Sequence, residues 1–514
     1  MLNNELPKEN LPQFPESLWI ASSSIPSFPK LTNNIKVDVA IVGAGISGVT
    51  TAYLLSKQGL KVALIEAGKM LNGTTGHTTA KITAQHDLIY NEFISHFGEE
   101  QTKLYYEANR EALHFIKQTV HEHQILCDFS EEDAYVYTNS DDYEQKLAAE
   151  YSAYEALEIP GAYIKQAPLP FPTKAAVVMR NQAQFNPIPY LTYLVNDAVQ
   201  QQGCQIYEHT TAVSMEKGNP ATLFTKEGYR ITSDYVISCS HFPFIDGGGF
   251  YFAKMHARRA YILAVKTAKP FPRGMFISAE EPKRSLRSTT VNGESMVLIA
   301  GESHKTGQGI CTLQHYEALK MFGEEQLGIK EINYRWSAQD LVTLDKLPYI
   351  GQTASDDPNI LVATGYKKWG MTTGTAAALL IEKLVTGKKS PYQELFKPAR
   401  FHADPSLKTF IVQNADVVNH FVSGKLGMIF KNPEELNIDE GAVVRANGKR
   451  AGAYRDQQGQ LHIVDTTCTH MGCEVEWNDG ERTWDCPCHG SRFSYRGEVL
   501  EGPAKKPLKI VFPE

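Results

Sequence analysis

Cys468-Thr-His470 and, after fifteen intervening residues, Cys486-Pro-Cys488-His489 place two thiols and two imidazoles in a C-x-H then C-x-x-H arrangement. That set suits a [2Fe-2S] cluster in which two thiolates hold the ferric iron and two imidazoles hold the iron that changes valence. Replacing two thiolates by neutral ligands raises the reduction potential. Such a centre moves electrons singly. A further pair, Cys473 and Cys488, sits one short step beyond each ligand loop, where a disulfide would clamp the two loops together. The competing reading is a structural zinc, but zinc favours C-x-x-C pairs and leaves the extra cysteines unexplained.

A second chemistry lies near the N-terminus. Residues 37–42, VDVAIV, form an apolar β-branched run, and Gly43-Ala-Gly45-Ile46-Ser47-Gly48 follows at once. Ile46, Val49, Tyr53 and Leu54 then repeat at helical spacing until Gly59, and KVALIE at 61–66 makes a second strand closing on Glu66. In such a βαβ unit the glycines let backbone approach a pyrophosphate at a helix N-terminus, and the carboxylate accepts hydrogen bonds from a ribose. FAD is favoured over NAD. The motif starts near the N-terminus of a long chain, there is no second glycine motif for a nicotinamide, and GTTGHTTAK at 73–81, with Thr79 and Ala80, is a run of small residues suited to lining a flavin.

The wording around the metal ligands, CTHMGC at 468–473 and CPCHGSRF at 486–493 with Gly502-Pro503-Ala504 downstream, resembles Rieske domains of the cytochrome bc1 and b6f type over about residues 430–510. The resemblance implies that Ser491 donates a hydrogen bond to a cluster sulfide. It also implies a tyrosine donor to a ligand thiolate two residues later, where this chain has Phe493, which cannot donate. The reduced cluster then loses one stabilising contact, and its potential is expected below that of respiratory Rieske proteins, within the range of about −150 to +300 mV.

Residues of about 35–390 resemble flavoenzymes of the D-amino-acid-oxidase type, the superfamily of glycine and sarcosine oxidases. This implies an α/β FAD-binding domain, Rossmann-like and of the GR2 type, with an inserted α+β substrate domain at about 90–180 and 255–335, followed by a C-terminal all-β Rieske domain. In the family a late glycine-rich stretch lies against the flavin ring; here it is Gly365 through Trp369, Gly370, Met371 and Thr372, whose amides at a helix N-terminus would stabilise the reduced flavin. The resemblance also puts Val213 beside the adenine and the strand ending at Cys239 in the same sheet. For the substrate pocket the candidates are Lys81, His86, Tyr261, His304 and Arg335. Each has a plain alternative: His86 capping a helix, His304 in a solvent loop, Arg335 paired with Asp340 or Asp345. No His or Cys lies in an obvious setting for covalent flavin attachment, and His77 is left open.

The elements that position these residues divide the chain into an arm at 1–34, the flavin unit at 35–395, a linker at 396–430 with a short amphipathic helix, and the Rieske unit at 431–514. At 514 residues and a net charge of −7, composition gives no sign of nucleic-acid binding. No stretch reaches the ~18 apolar residues of a membrane span. Without a basic or apolar leader, cytoplasmic residence is the expectation. Cys127, Cys204, Cys239 and Cys311 read as buried free thiols. Joined, the modules imply a dehydrogenase of a small amine or amino acid that passes electrons from FADH2 through the cluster to an external acceptor, with a protein among the candidates. The alternatives are a redox relay or sensor, and a reductive or oxygenase-type enzyme fed by a protein donor.

Overall fold

The computed structural model describes residues 11–245, 249–291, 293–309, 312–354, 356–400, 402–426 and 431–511. Cys311 therefore lies outside the described residues.

The first sheet has eight strands. Ile35–Val42 lies at its centre, paired in parallel with Val62–Ile65 on one side and Arg230–Ser238 on the other. Gln205–Tyr207 and Ile360–Thr364 extend it in parallel, and Tyr349–Gln352 closes one edge antiparallel. Val39, Ile41, Val62 and Leu64 are buried because helices cover both faces, which explains why these strands read as continuous apolar runs. Ile46–Lys57 packs against Gly370–Val385 and Pro187–Gln200, so the early glycine motif and the late glycine-rich stretch open neighbouring helices. A second, mixed sheet of nine strands carries the inserted domain. Its two longest strands, Met255–Thr267 and Ile329–Thr343, pair antiparallel along their whole length.

The C-terminal unit is two small antiparallel sheets, one of three strands and one of four, around Val475, Trp484 and Phe493. Gly441 and Gly452 lie under the Trp477 and Trp484 rings; a Cβ at Gly452 would sit 2.5 Å from the Trp484 ring.

This unit is locked onto the two long strands of the inserted domain. Arg259, from the first, reaches Glu501 at 3.2 Å, and Arg492 binds Glu501 at 2.8 Å and Asp485 at 3.3 Å. Burial alone would raise the Glu501 carboxyl, but the two guanidinium groups hold it down at about 2. Arg335 donates to the carbonyl oxygens of Gly480 (2.8 Å), Pro12 (2.5 Å) and Gln13 (2.7 Å), stitching together three parts of the chain. It is therefore a seam residue and pairs with neither Asp340 nor Asp345; the partner of Asp345 is Arg400 at 2.8 Å. The N-terminal arm packs through Trp19, fully buried, whose indole donates to the Thr78 carbonyl.

The linker differs from the short helix expected. Ala403–Leu426 is a helix of 24 residues, bent at Asp404, where the following Pro405 forces an extended backbone. Lys305 and Gln308 both bind its Asp416, at 2.6 and 2.9 Å, so it is clamped over the seam.

Backbone-on-backbone approach makes the docking tight. Gly490 has φ +73°, and a Cβ there would come within 2.3 Å of the Ala257 Cβ. Gly490→Ala is expected to weaken docking by about 1–3 kcal/mol and to split one calorimetric unfolding transition into two.

Candidate active site and metal centre

The cradle for a dinucleotide is built from glycines whose side chains have no room. At Gly43, with φ +103°, a Cβ would meet the Cys239 carbonyl oxygen at 2.6 Å, and at Gly48 it would meet the Gly43 oxygen at 1.9 Å. The helix Ile46–Lys57 starts at Gly45, which brings no capping side chain, so its N-terminal end favours a phosphate. Thr75 accepts from the Ile46 amide at 3.0 Å. Glu66 accepts from the amides of Ala44 and Gly68, both at 2.9 Å, and burial raises its carboxyl above the ordinary range. Ser47 donates to the Tyr366 hydroxyl at 2.9 Å, joining the early motif to the late one.

Trp369 is the N-cap of Gly370–Val385. Its ring stacks on His86 with centroids 4.7 Å apart, and its buried indole N–H has no hydrogen-bond partner among the described residues. An orphaned donor at a helix N-terminus, beside a glycine cradle, fits a bound flavin. His86 is buried, bonded to the Tyr105 hydroxyl at 2.5 Å and the Thr83 carbonyl at 2.8 Å, and burial lowers its pKa to about 3, so it is neutral and caps no helix. Thr372 donates to the Thr83 carbonyl and Met371 is buried in the core; Gly365 has φ +79°. Val213 lies on the strand Ala212–Glu216 and its carbonyl accepts from Lys505 of the C-terminal unit.

Among the pocket candidates, Lys81 donates to the Phe276 carbonyl (2.8 Å) and Ser285 Oγ (2.7 Å), and burial with Arg287 nearby lowers its pKa to about 7. Thr79 and Ala80 offer carbonyls to the buried Arg287. His77 bonds the Gly73 carbonyl through Nδ1 and accepts the Trp336 indole at its own carbonyl. His304 is in the strand Glu294–Lys305, in a three-ring cluster with Tyr261 and His315, with the Tyr261 hydroxyl at 2.9 Å; it faces an aromatic cluster and not a solvent loop.

At the other centre Cys468 and Cys486 are buried, and the rings of His470 and His489 meet edge to face 5.0 Å apart. The buried Nδ1 of His470 has no hydrogen-bond partner among the described residues. Cys486 and Ser491 both hydrogen-bond the Cys468 sulfur, lowering that thiol, while Lys505 and burial lower His470. Three sulfurs, those of Cys473, Cys486 and Cys488, lie within 4.8 Å of one another, but Cys473 and Cys488 are joined in a disulfide, so Cys486 alone of these is available to a metal. Two facing thiols and two neutral imidazoles, one with an orphaned nitrogen, fit a cluster held by two sulfurs and two nitrogens. Ser491 is fully buried, and its oxygen accepts the Ala504 amide at 3.1 Å, leaving its proton for the cluster side.

One residue links the centres and carries no sequence signal. Gln339, on Ile329–Thr343, donates through Nε2 to the Gly490 carbonyl at 2.9 Å, next to His489. Its main-chain carbonyl accepts from Thr74 Oγ1 at 3.0 Å, in the segment expected to line the flavin. An interior glutamine on a strand has no motif; only the register of two distant segments reveals it.

Comparison with known proteins agrees with this geometry. The FAD dependent oxidoreductase (DAO) family matches residues 38–384 and the Rieske [2Fe-2S] domain residues 428–512. This chain belongs to the DAO family of FAD-dependent oxidoreductases and carries a C-terminal Rieske domain, with FAD and a [2Fe-2S] cluster as its cofactors. It is 52% identical over 511 residues, covering 99% of both chains, to YhfW of Bacillus subtilis (strain 168), which bears the name of a Rieske 2Fe-2S iron-sulfur protein. Gamma-glutamylputrescine oxidoreductase of Escherichia coli (strain K12) is 23% identical over 70% of this chain and 86% of its own. The crystal structure of glycine oxidase from Geobacillus kaustophilus superposes with a TM-score of 0.60 at 18% identity, over 71% of this chain and 99% of that one.

Phe493 is fully buried beside the ligand loops. Phe493→Tyr adds a donor and is expected to raise the midpoint potential by about 20–60 mV, taking ~0.5–1.5 kcal/mol per hydrogen bond at about 59 mV per tenfold for one electron. Ser491→Ala is expected to lower it by a similar amount, both read by spectroscopic redox titration.

Proposed function

We propose that this chain is a dehydrogenase of a small amine or amino acid that releases electrons through the Rieske centre to an external acceptor. The observation that carries the reading is Gln339, a single buried residue bonded to both the flavin-lining segment and the cluster loop. Bound FAD supplies a two-electron acceptor and the cluster a one-electron carrier, so the pair converts one kind of transfer into the other. Cys468, His470, Cys486 and His489 hold the cluster, and the Gly43–Gly48 turn, Glu66 and the 365–372 turn hold the flavin. The buried ion network keeps the two sites in one body and makes their encounter intramolecular. Cytoplasmic residence is part of the reading; no helix among the described residues is long and apolar enough to cross a membrane.

The charges at the flavin turn support an acidic amine as substrate. Lys367 and Lys368 are half-buried, and neither ammonium has a hydrogen-bond or ion-pair partner among the described residues. Lys367 is held in the left-handed region at φ +54°, a strain that clusters at functional positions. Asp340, buried nearby, has its carboxyl pushed up to about 7 by burial. Two cations without a hydrogen-bond partner among the described residues, of which Lys368 acts on the Asp340 carboxyl, suit a carboxylate on one end of a substrate and an amine on the other.

Anaerobic mixing with amines and amino acids tests the direction: the flavin absorbance is expected to bleach first and the cluster absorbance after it. Bleaching by a reduced ferredoxin alone reverses the flow. Burial pushes the Lys367 ammonium down to about 8. It is protonated below that pH and neutral above, so kcat/KM for a carboxylate substrate is expected to fall as pH rises through about 8. Lys367→Met is expected to remove that limb and cost about 10–100-fold at pH 7, the loss of one charge-assisted contact.

A further inference from the structure

Given that reading, the electrons must leave from somewhere on the cluster, and most of its surroundings are sealed. Gly490 abuts Ala257, a Cβ at Gly307 would meet the Pro487 nitrogen at 2.6 Å, and Val417 of the clamped helix lies over the Cys488 sulfur. The cavity left between these elements is about 20 Å³, room for a single water. His489 is buried, whereas His470 is half-buried and its neighbour Met471 is 52% exposed. The His470 edge is thus the open side of the centre among the described residues.

What surrounds that edge comes from both units of the chain. Phe252, from the short helix Tyr251–Lys254, lies 6.0 Å from the His470 ring and 5.7 Å from the His489 ring, centroid to centroid. Phe250 lies 6.2 Å from Phe252, is 59% exposed, and is held at φ +51°, a left-handed conformation costly for a bulky residue. Lys505 and Lys506 are exposed; Lys505 is the charge that reaches His470, and the Lys506 carbonyl accepts from Thr469 Oγ1 at 2.6 Å in the ligand loop. An apolar centre of Phe250 and Met471 with a basic rim has the composition of a transient protein interface. The rim is positive on a chain whose net charge is −7.

We propose that Phe250, Phe252, Met471, Lys505 and Lys506 form the docking surface for an acidic, one-electron redox protein. The partner is a protein with a negative face: complementary charge steers the encounter while the apolar centre brings its redox group to the imidazole edge. In each encounter the reduced cluster loses one electron and the partner's oxidised centre gains it; two encounters return the flavin's pair, and no atom is transferred. Because Phe250 and Phe252 belong to the flavin unit, the surface exists only when the two units are docked.

The test uses the full-length holoprotein with an acidic blue-copper protein and, for contrast, basic cytochrome c. Binding is measured first, by biolayer interferometry against the redox-inert zinc form of the copper protein. Lys506→Glu is expected to slow association about threefold to tenfold at low salt and to weaken its dependence on ionic strength. Phe250→Ser is expected to speed dissociation. Stopped-flow oxidation of the dithionite-reduced protein by the copper protein is expected to slow in parallel, while oxidation by ferricyanide stays within twofold. Unchanged binding and oxidation in the variants, or a preference for cytochrome c that charge reversal does not alter, overturns the docking surface. Flavin that never reduces the cluster when photoreduced in the same holoprotein overturns the underlying reading instead.

Discussion

A buried exchange of charge holds this molecule in its working form. Arg259 comes from the inserted domain and Asp485, Arg492 and Glu501 from the Rieske unit; the first three are taken from water and Glu501 keeps only a fifth of its exposure. Removing one partner would strand the others in a poorly polarisable interior, which costs more than the pair contributes when intact. The network therefore specifies one arrangement rather than adding much affinity. Around it further polar contacts fall into register: Gln339 on Gly490, Thr312 on Asn478 and Asp479, and Tyr316 on Glu481.

That arrangement explains why the long strand Ile329–Thr343 matters more than its sequence advertises. In turn along it, Arg335 reaches the arm and Gly480, Trp336 reaches the His77 carbonyl, and Gln339 reaches Thr74 and Gly490. A strand that pairs along its full length with its neighbour cannot shift by one residue without turning the Arg335, Trp336 and Gln339 side chains to the other face and moving the Gln339 main-chain carbonyl off Thr74. Register, set by the inserted sheet, is what fixes the spacing of the two cofactor sites.

The two cofactor motifs were legible because their chemistry needs particular residues at short spacing. Thiols and imidazoles in C-x-H and C-x-x-H, and glycines between a strand and a helix, leave few alternatives. The doubly wound core was legible too, since strands buried on both faces read as apolar runs. The seam was not. Arg335 looked like a pocket residue because arginine near a strand end carries no mark of its partner, and its three carbonyl acceptors come from positions 12, 13 and 480. Nor did local pattern show that the helix Ala403–Leu426 serves as a clamp, since Asp416 acquires its meaning from Lys305 and Gln308 more than 100 positions earlier.

The close fit of Pro487 on Gly307 and of Gly490 on Ala257 also fixes which flank of the cluster is closed. With the Rieske unit seated, the loop bearing Cys486 and His489 is walled in on that flank, and the half-buried His470 ring is the part of the centre left near solvent.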